Sequence, residues 1–354
     1  MWCWFFLPAM QTRSIRFYPG SFPLLQQKGG GMLESDLKRL REKFGNRLQE
    51  NVRMKNYTTI QTGGFADALL IAQDAQELEK FTNQVWELGL PLLVLGSGSN
   101  ILVSDEGIRG VVIINHAHNI SIYARQDAIQ VIAESGALMA KVAKQAINRM
   151  LAGLEWATTL PGTVGGAVYG NAGCFGRETA DNFIQAEILH RKQEKVIYGK
   201  EDMAFEYRSS ILKRNLQECV VLSASFLAQP GEYDQMMQKI ESYKERRQKN
   251  QPSGPSMGSI FRNPQDDTAG RLIEAAGLKG KKIGGAEISD QHANFIINAS
   301  GGNAHDVWEL IQTIETAVHQ KFGFFLHPEI QLIGDWDRKI LQEFEEYQTT
   351  QENA

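Results

Sequence analysis

Apolar positions recur along this chain with a helical period in several segments. Residues 77–88 carry apolar side chains three or four positions apart, a spacing typical of a helix that buries one face. The same spacing predicts helices over residues 35–48, 138–151, 232–249, 269–276 and 303–322. Charged residues occupy the positions between the apolar ones in these segments, so we expect each helix to expose a polar face.

Shorter apolar runs, several of them strictly alternating, predict strands. Residues 120–123 and 128–134 alternate on either side of a polar turn at Gln126 and Asp127, which predicts a β-hairpin. Further strands are predicted at residues 68–72, 91–95, 101–103, 111–115, 183–189, 195–198, 220–227, 295–298 and 327–333. We expect the three between 183 and 227 to pair antiparallel.

One segment follows neither the helical spacing nor the alternating pattern of a strand. Residues 153–176, GLEWATTLPGTVGGAVYGNAGCFG, contain seven glycines. Such density costs backbone entropy, which is explained if the backbone must approach a ligand closely and present its N–H groups to an anion. A packing seam of small residues or a flexible loop is the alternative, but a flexible loop is usually polar and this segment carries Trp156 and Tyr169.

A second small-residue loop, Gly96-Ser97-Gly98-Ser99-Asn100, lies between two predicted strands. It is not a dinucleotide-binding GxGxxG turn, because Ile101 replaces the third glycine and a strand follows instead of a helix. Its backbone N–H groups could still bind a pyrophosphate, although a plain turn explains the loop equally well.

Three polar side chains stand in apolar or turn-rich settings: Arg208, Ser259 and Glu329. Taken alone, each is more often structural than catalytic. Ser259 has no GxSxG surroundings, which argues against a hydrolase nucleophile. The basic end of the helix at 232–249, which includes Arg247, is either a solvated helix end or a phosphate contact.

Composition excludes several classes of protein. The 354 residues are 42% hydrophobic with a net charge of −4, which favours a globular chain without a nucleic-acid or membrane partner. Three scattered cysteines predict neither a disulfide framework nor a zinc site, and they favour a reducing compartment. No histidine spacing suggests metal ligands, so we expect no metal.

The two ends of the chain differ from the rest. Residues 1–32 are apolar and basic without an acidic residue, as in a transit peptide or a translation start upstream of the true one. We favour the second interpretation, since Met10 and Met32 are both available, and expect this segment to lie outside the fold. From Glu343 onward the chain is polar, which predicts a frayed tail.

Six ordered motifs resemble those of the UDP-N-acetylenolpyruvoylglucosamine reductase (MurB) family, in its shorter, type II form. The resemblance runs from about residue 56 to residue 334. The motifs are Gly96–Asn100, LPGTVGGAVYGNAG at 160–173, Tyr207-Arg208, GSIFRNP at 258–264, AGRLIEAAGLKG at 269–280 with IGGAEIS at 283–289, and HPEIQLIG at 327–334. Two departures are small: Met257 replaces a usually small residue, and Asn294 stands where glycine is frequent.

The resemblance implies an α+β fold: a two-lobed FAD-binding fold of the vanillyl-alcohol-oxidase (PCMH) type, followed by a C-terminal α+β substrate-binding domain. We expect the lobes at 33–110 and 111–230, the substrate domain at 231–340 and a flexible tail at 341–354. The implied enzyme is cytoplasmic and monomeric, and its ligands are FAD, NADPH and a UDP-sugar.

The resemblance also assigns roles to residues. The flavin would pass hydride from NADPH through its N5 to the substrate's C3, Arg208 and Glu329 would stabilise the charge that develops on the substrate's carboxylate, and Ser259 would protonate C2. Tyr207 and Asn263 match positions that contact the substrate. The residues expected to hold the cofactor are Gly96, Ser97, Gly98, Ser99, Asn100, Pro161, Gly162, Gly165, Gly166, Asn171, Ala172, Gly173 and Arg247.

Two other functions stay open at this point. A different oxidase of the same fold would not need Arg208, Ser259 and Glu329 together. A flavin-binding or sugar-nucleotide-binding protein without turnover would bind its ligand but be inert to NADPH.

Overall fold

The computed structural model describes residues 31–125, 128–191, 194–214 and 218–349, and its first lobe is built around a mixed sheet. The elements of this lobe are α1 (Glu34–Phe44), β1 (Gln49–Arg53), β2 (Phe65–Ala72), α2 (Ala75–Glu87), β3 (Leu92–Leu95), β4 (Ile101–Val103) and β5 (Ile108–Asn115). The sheet order is β1-β2-β5-β3, with β2 and β3 parallel to β5. Asp74 caps α2, whose buried face packs on this sheet.

The second lobe is an antiparallel sheet with helices. Its elements are β6 (Ile120–Arg125), β7 (Ala128–Glu134), α3 (Met139–Ile147), β8 (Leu151–Ala152), α4 (Val164–Gly170), β9 (Gly173–Cys174), β10 (Arg177–Glu178), α5 (Thr179–Asn182), β11 (Phe183–His190), β12 (Val196–Gly199), α6 (Ile211–Arg214) and β13 (Cys219–Pro230). The order β12-β11-β13-β7-β6 confirms the predicted hairpin and the antiparallel strands. Leu189 and Val220 join the core of the first lobe, so the lobes share apolar packing.

The remaining elements are α7 (Tyr233–Asn250), β14 (Ser256–Ser259), α8 (Ala269–Ala275), β15 (Lys282–Ile283), β16 (Ala286–Ile288), β17 (Phe295–Asn298), α9 (Ala304–Phe322), β18 (Gln331–Ile333) and α10 (Arg338–Thr349). Strands β14 to β17 form a sheet in the order β14-β17-β16-β15. Asn303 caps α9, and the buried face of α9 packs on this sheet around Trp308. No helix in the described parts of the chain is long and apolar enough to span a bilayer.

Two of the expected domain boundaries do not coincide with the ends of the structural units. The boundary between 110 and 111 falls inside β5, whose pairing with β2 continues to Asn115, so the first lobe extends to that residue. Helix α7 was expected in the substrate domain, but Met236 and Ile240 pack against Ile147 of the second lobe. We therefore propose that the third domain begins after α7, where the turn-rich segment starts.

The last predicted strand, 327–333, is shorter and lies elsewhere than expected. Only β18 is a strand, and it pairs in parallel with β4 of the first lobe instead of extending the third domain. Ser104 stabilises the pairing of these two strands, because its hydroxyl donates to the carbonyl of Asp335 at 2.7 Å. The chain thus crosses from the third domain back to the cofactor lobe at Glu329.

Other local expectations also need correction. The helix predicted over 35–48 stops at Phe44, because Gly45 adopts a left-handed φ of 53°. The helix predicted over 138–151 stops at Ile147, and Leu151 instead pairs with β13. The segment 153–176 was not expected to be helical, yet its central part forms α4.

The expected frayed tail is wrong for residues 343–349. These residues belong to α10, where Phe344 is buried and contacts Trp308. Residues 350–354 lie outside the described residues. The expected N-terminal extension also lies outside them, except for its last two residues, and the backbone N–H of Met32 donates to Asp67 at 3.1 Å.

Candidate active site

The two glycine-rich segments predicted to hold a cofactor face each other. The loop 96–100 connects β3 to β4, and Pro161 and Gly162 precede α4. A Cβ on Gly96 would lie 2.3 Å from Thr163 Oγ1, and a Cβ on Gly162 would lie 3.1 Å from Ser99 Oγ. The two segments therefore form one continuous small-residue surface, which we call the glycine surface.

The glycines do not all leave room for a ligand. A Cβ on Gly98, where φ is +60°, would lie 2.2 Å from the carbonyl oxygen of Tyr57, and one on Gly165 would lie 3.1 Å from the Cβ of Ser135. These two glycines are required by contacts within the protein. Gly166 differs, since the nearest atom to its added Cβ would be Thr163 Oγ1 at 3.8 Å. Gly166 is exposed on α4 and open to a ligand.

The residues that follow α4 connect it to the predicted catalytic arginine. Asn171 is fully buried in a left-handed conformation at the end of α4, accepts from the N–H of Ala180 and donates to the carbonyl of Glu206 at 2.9 Å. Its side chain therefore fixes the turn that carries Tyr207 and Arg208. Ala172 and Gly173 lead into β9, and the carbonyl of Gly173 accepts from Arg208 Nη2 at 2.9 Å.

Arg208 occupies a strained turn. Glu206 and Ser209 exchange two backbone hydrogen bonds of 3.0 Å, which leaves Tyr207 and Arg208 as the central residues of a tight hairpin turn. Arg208 has a φ of 56°, a region that side-chain-bearing residues seldom adopt. Its guanidinium carbon lies 5.1 Å from the centre of the Tyr207 ring, and that tyrosine is 51% exposed.

Glu329 reaches Arg208 from the opposite end of the chain. Glu329 Oε1 lies 3.1 Å from Arg208 Nε, and both side chains are largely buried. The Nε–H is not aligned for a hydrogen bond with that carboxylate, so it has no hydrogen-bond acceptor among the described residues.

Backbone contacts bring the segment that follows Ser259 next to Glu329. The N–H of Glu329 donates to the carbonyl of Ile260 at 2.7 Å, and Phe261 forms a β-bridge with Pro328. Ser259 ends β14 after a bulge at Gly258, where φ is 79°. The bulge redirects the strand at the serine, as bulges near active sites commonly do.

Asn294, a departure from the family pattern, holds this strand in place. Its side-chain carbonyl accepts from the N–H of Phe261 at 2.9 Å, and its amide donates to the carbonyl of the same residue at 2.8 Å. The predicted substrate contact Asn263 is exposed, and its side-chain carbonyl accepts from the N–H of Ala269 at 3.2 Å. Asn263 thus lies on the strand-to-helix connection after Ser259.

Two cations that the sequence reasoning did not single out complete the site. Lys213 Nζ donates to the carbonyl of Arg208 at 3.3 Å. Burial lowers the pKa of Lys213 to about 8, with further lowering by Arg262 and Arg208 and an opposing effect of Glu329. Burial also lowers the pKa of Arg262, against the opposing effect of Glu329. Arg262 stands inside the motif GSIFRNP and could have been noticed there, but nothing in the sequence marks Lys213.

Four of the buried polar atoms that lack a hydrogen-bond partner among the described residues belong to predicted site residues or to Arg262: Ser97 Oγ, Arg208 Nε, Arg247 Nε and Arg262 Nε. Unpaired buried polar groups are costly in folded proteins, so these four are candidates for contact with a ligand. Burial lowers the pKa of Arg247, and the nearby Cys174 opposes this shift. The hydroxyl, guanidinium and backbone groups fit the phosphates of a flavin dinucleotide and an anionic substrate.

Comparison with known proteins decides the family. The family model described as UDP-N-acetylenolpyruvoylglucosamine reductase, C-terminal domain, matches residues 248–333, and the FAD binding domain model matches residues 66–197. The UDP-N-acetylenolpyruvoylglucosamine reductase of Bacillus licheniformis is 39% identical over 309 residues, which cover 86% of this chain and 99% of the relative. The chain belongs to the UDP-N-acetylenolpyruvoylglucosamine reductase family. The family resemblance stated from the sequence is thereby confirmed.

Other members of the UDP-N-acetylenolpyruvoylglucosamine reductase family agree with this assignment. The reductase of Rubrobacter xylanophilus is 40% identical over 282 residues, covering 80% of this chain and 94% of the relative. The crystal structure of the family member from Thermus caldophilus superposes with a TM-score of 0.69 at 31% identity, covering 81% of this chain and 99% of that one. The expected α+β fold, with FAD-binding lobes followed by a C-terminal domain, is confirmed.

Proposed function

We propose that this protein is an NADPH-dependent flavoenzyme that reduces UDP-N-acetylenolpyruvoylglucosamine to UDP-N-acetylmuramate, a step in peptidoglycan precursor synthesis. Family membership supports the reaction class. The observation that carries the proposal is the 3.1 Å pair between Arg208 and Glu329, which joins the cofactor lobes to the third domain beside Ser259. A different oxidase of this fold would have no need for that combination.

FAD is held, in this proposal, by the glycine surface and by Arg247. The open position at Gly166 and the unpartnered hydroxyl of Ser97 support this placement. When bound, FAD supplies a two-electron carrier that takes hydride from NADPH and delivers it to C3 of the enolpyruvyl group. The protein's part is to bind, orient and exclude water around the reacting atoms.

Arg208 stabilises the negative charge that grows on the substrate's carboxylate as C3 is reduced. Its guanidinium is held by the carbonyl of Gly173 and by Glu329, and a donor that is already oriented needs no reorganisation when charge develops. Glu329 holds the guanidinium from one side and, with it, forms the polar group that faces the substrate's carboxylate. Arg262 and Lys213 add positive charge around Glu329, which suits an anionic substrate.

Ser259 supplies the proton to C2. A hydroxyl is a weak acid, so it can serve only where water is excluded and the intermediate is strongly basic. Its position at the end of β14, one residue before the carbonyl that binds the N–H of Glu329, supports this role. Tyr207 and Asn263 are proposed to contact the sugar nucleotide, since both are exposed next to these groups.

Half-reactions under anaerobic conditions test the proposal. NADPH should bleach the visible absorbance of the bound flavin, and UDP-N-acetylenolpyruvoylglucosamine should restore it with formation of UDP-N-acetylmuramate, identified by mass. A yellow protein that NADPH does not bleach would instead be a binding protein without turnover. Bleaching without recovery by this substrate would point to another oxidoreductase of the same fold.

Two further expectations stay predictions. We propose that the protein acts as a monomer, because the site described above is built from one chain. We also place its reaction in the cytoplasm, where nucleotide sugars and NADPH are available. Light scattering of the purified holoenzyme and fractionation of the host cell test these statements.

A further inference from the structure

The segment that follows the strained turn is held rigidly against the glycine surface. Ser210 is fully buried, and its hydroxyl donates to the carbonyl of Tyr169 in α4 at 2.7 Å. Leu212 is buried in the core of the second lobe. Helix α6 therefore presents Lys213 at a fixed position beside the turn.

Lys213 is the residue on α6 that contacts the turn's reactive residue. Its ammonium donates to the carbonyl of Arg208, which is the residue with a left-handed φ. The opposite side of the same turn is fixed by Asn171, which donates to the carbonyl of Glu206. Arg214 of α6 also contacts the ends of the turn, through Ser209 Oγ at 3.1 Å and the Glu206 carboxylate at 3.2 Å, but Lys213 binds the carbonyl of Arg208 itself. The guanidinium of Arg208 is fixed between Gly173 and Glu329.

We propose that Lys213 is a positioning residue for Arg208: its ammonium maintains the left-handed turn that directs the guanidinium at Glu329 and at the substrate's carboxylate. The proposal rests on the proposed function, since it assigns Arg208 to that carboxylate. A purely solvated lysine would not lie half-buried beside two arginines.

The charges around Lys213 make this support sensitive to pH. Arg208 on the turn and Arg262 after β14 disfavour the ammonium, Glu329 before β18 favours it, and burial is the largest cause of the lowered pKa. Arg262 in turn faces Tyr207 and Glu206. Lys213 is charged below about pH 8 and neutral above it, so the turn loses its charged donor as pH rises through that value.

The first test compares Lys213→Met with Lys213→Arg in the holoenzyme. Lys213→Met should slow substrate-dependent flavin reoxidation by roughly tenfold to a hundredfold, less than the ~10²–10³ for losing a donor that contacts the developing charge itself, because Lys213 acts through Arg208. NADPH-driven reduction should change less than twofold. Lys213→Arg should retain most of the rate and should abolish the fall above about pH 8 that the wild type shows. Lys200→Met, an exposed lysine of the same lobe, is the matched control and should behave as wild type.

A double-mutant cycle with Arg208→Lys separates positioning from direct contact. If Lys213 acts through Arg208, the double variant should be about as slow as Arg208→Lys alone, because coupled residues are not additive. Additive losses would show that Lys213 contacts the substrate independently, and the inference would be wrong. This outcome leaves the proposed function intact, whereas wild-type protein that fails both half-reactions would overturn the function.

A readout without turnover tests the inference in either case. In protein labelled at arginine Nε, the Arg208 signal is identified by its loss in Arg208→Lys. It should be sharp in wild type and in Lys213→Arg, and broadened by exchange in Lys213→Met. An unchanged Arg208 signal in a folded Lys213→Met variant, with wild-type circular dichroism, would show that the turn does not depend on Lys213.

Discussion

The side-chain amide of Asn100 donates to the backbone carbonyl of Glu329 at 3.2 Å, across 229 positions of sequence. The carbonyl of Asn100 also accepts from the N–H of Gln331 at 3.1 Å. A residue of the glycine surface therefore anchors the backbone at Glu329, whose carboxylate faces Arg208. In the proposed function, this contact links the loop assigned to the cofactor with a residue assigned to the substrate.

Replacing Asn100 by alanine tests whether this hydrogen bond affects both stability and the reaction with substrate. The variant should lose about 1 kcal/mol of unfolding free energy, the net value of one hydrogen bond, and should reoxidise its flavin about tenfold more slowly with substrate. Urea unfolding and stopped-flow absorbance measure the two effects. Asn119→Ala is the control, as its exposed side chain lies outside the site. An Asn100 variant that is destabilised but has wild-type kinetics would limit the contact to structure.

Gly166→Val tests where the flavin lies. A Cβ there meets no atom closer than Thr163 Oγ1 at 3.8 Å outside the helix's own backbone, so we expect the fold to tolerate valine while close approach of a ligand is blocked. The purified variant should contain little FAD, measured as flavin absorbance per polypeptide. Gly170→Val, in the same helix with no atom within 4 Å of its added Cβ, should keep its flavin. Gly165→Val is uninformative, because Ser135 obstructs it.

Ser259→Ala tests the proton donor. Flavin reduction by NADPH should be unchanged and substrate binding should remain within a few-fold, while transfer to the enolpyruvyl group falls by more than the ~10²–10⁴ of ordinary acid–base assistance. Ser259→Cys, which keeps an ionisable proton, should recover part of the rate. In heavy water, the wild-type product should carry solvent deuterium at C2. A variant with only a raised apparent KM would make Ser259 a binding residue.

Glu315 makes stability depend on pH. It is 3% exposed in α9, accepts from the N–H of Leu326, and burial raises its pKa to about 8, with that hydrogen bond opposing the shift. The folded state therefore holds a proton that the unfolded state releases above its ordinary value of 4.5. The free energy of unfolding therefore falls as pH rises from about 4.5 to about 8, by at most about 1.4 kcal/mol per pH unit. Above about pH 8 this contribution no longer changes.

Glu315→Gln tests this pH dependence, because glutamine cannot bind or release a proton in this pH range. The difference in unfolding free energy between variant and wild type should therefore increase in the variant's favour as pH rises from about 5 to about 8. Urea unfolding at several pH values provides the measurement. A difference that is independent of pH would show that Glu315 keeps an ordinary pKa in the folded protein.

Removing residues 338–354 tests the packing of α10. The helix covers Trp308 with Phe344 and Tyr347, His327 Nδ1 donates to the carbonyl of Tyr347, and Gln348 donates to the carbonyl of Pro328. We expect a loss of roughly 3 kcal/mol or more, since Phe→Ala in a core alone costs about that much. Tryptophan fluorescence should shift to the red. Removing only 350–354 is the control and should leave both properties unchanged.

The sequence predicted the existence of the amphipathic helices well, because each one buries a single face, and it predicted the start best where a side chain caps the first turn. Helix α2 begins after Asp74 and α9 after Asn303, both with side chains that accept from the first turn. The order of the motifs also identified Arg208 and Glu329, which the structure places 3.1 Å apart. Their catalytic roles stay predictions.

What the sequence could not predict depends on contacts between remote segments. The pairing of β18 with β4 and the burial of Lys213 leave no periodic pattern in the chain. Arg208 adopts a positive φ that is normally found at glycine, so an arginine at this position does not predict the turn. Gly98 stays a predicted ligand contact, and the structure adds a requirement that the sequence did not reveal, since the carbonyl of Tyr57 leaves no room for a side chain there.

The parallel pairing of β18 with β4 has a consequence for how the molecule is made. As the chain leaves the ribosome, both lobes can form while β4 still lacks this partner, and an unpaired strand edge is prone to association with other chains. The edge is closed only when the segment carrying Glu329 emerges. The step that protects the folding intermediate from aggregation is therefore also the step that brings Glu329 to Arg208.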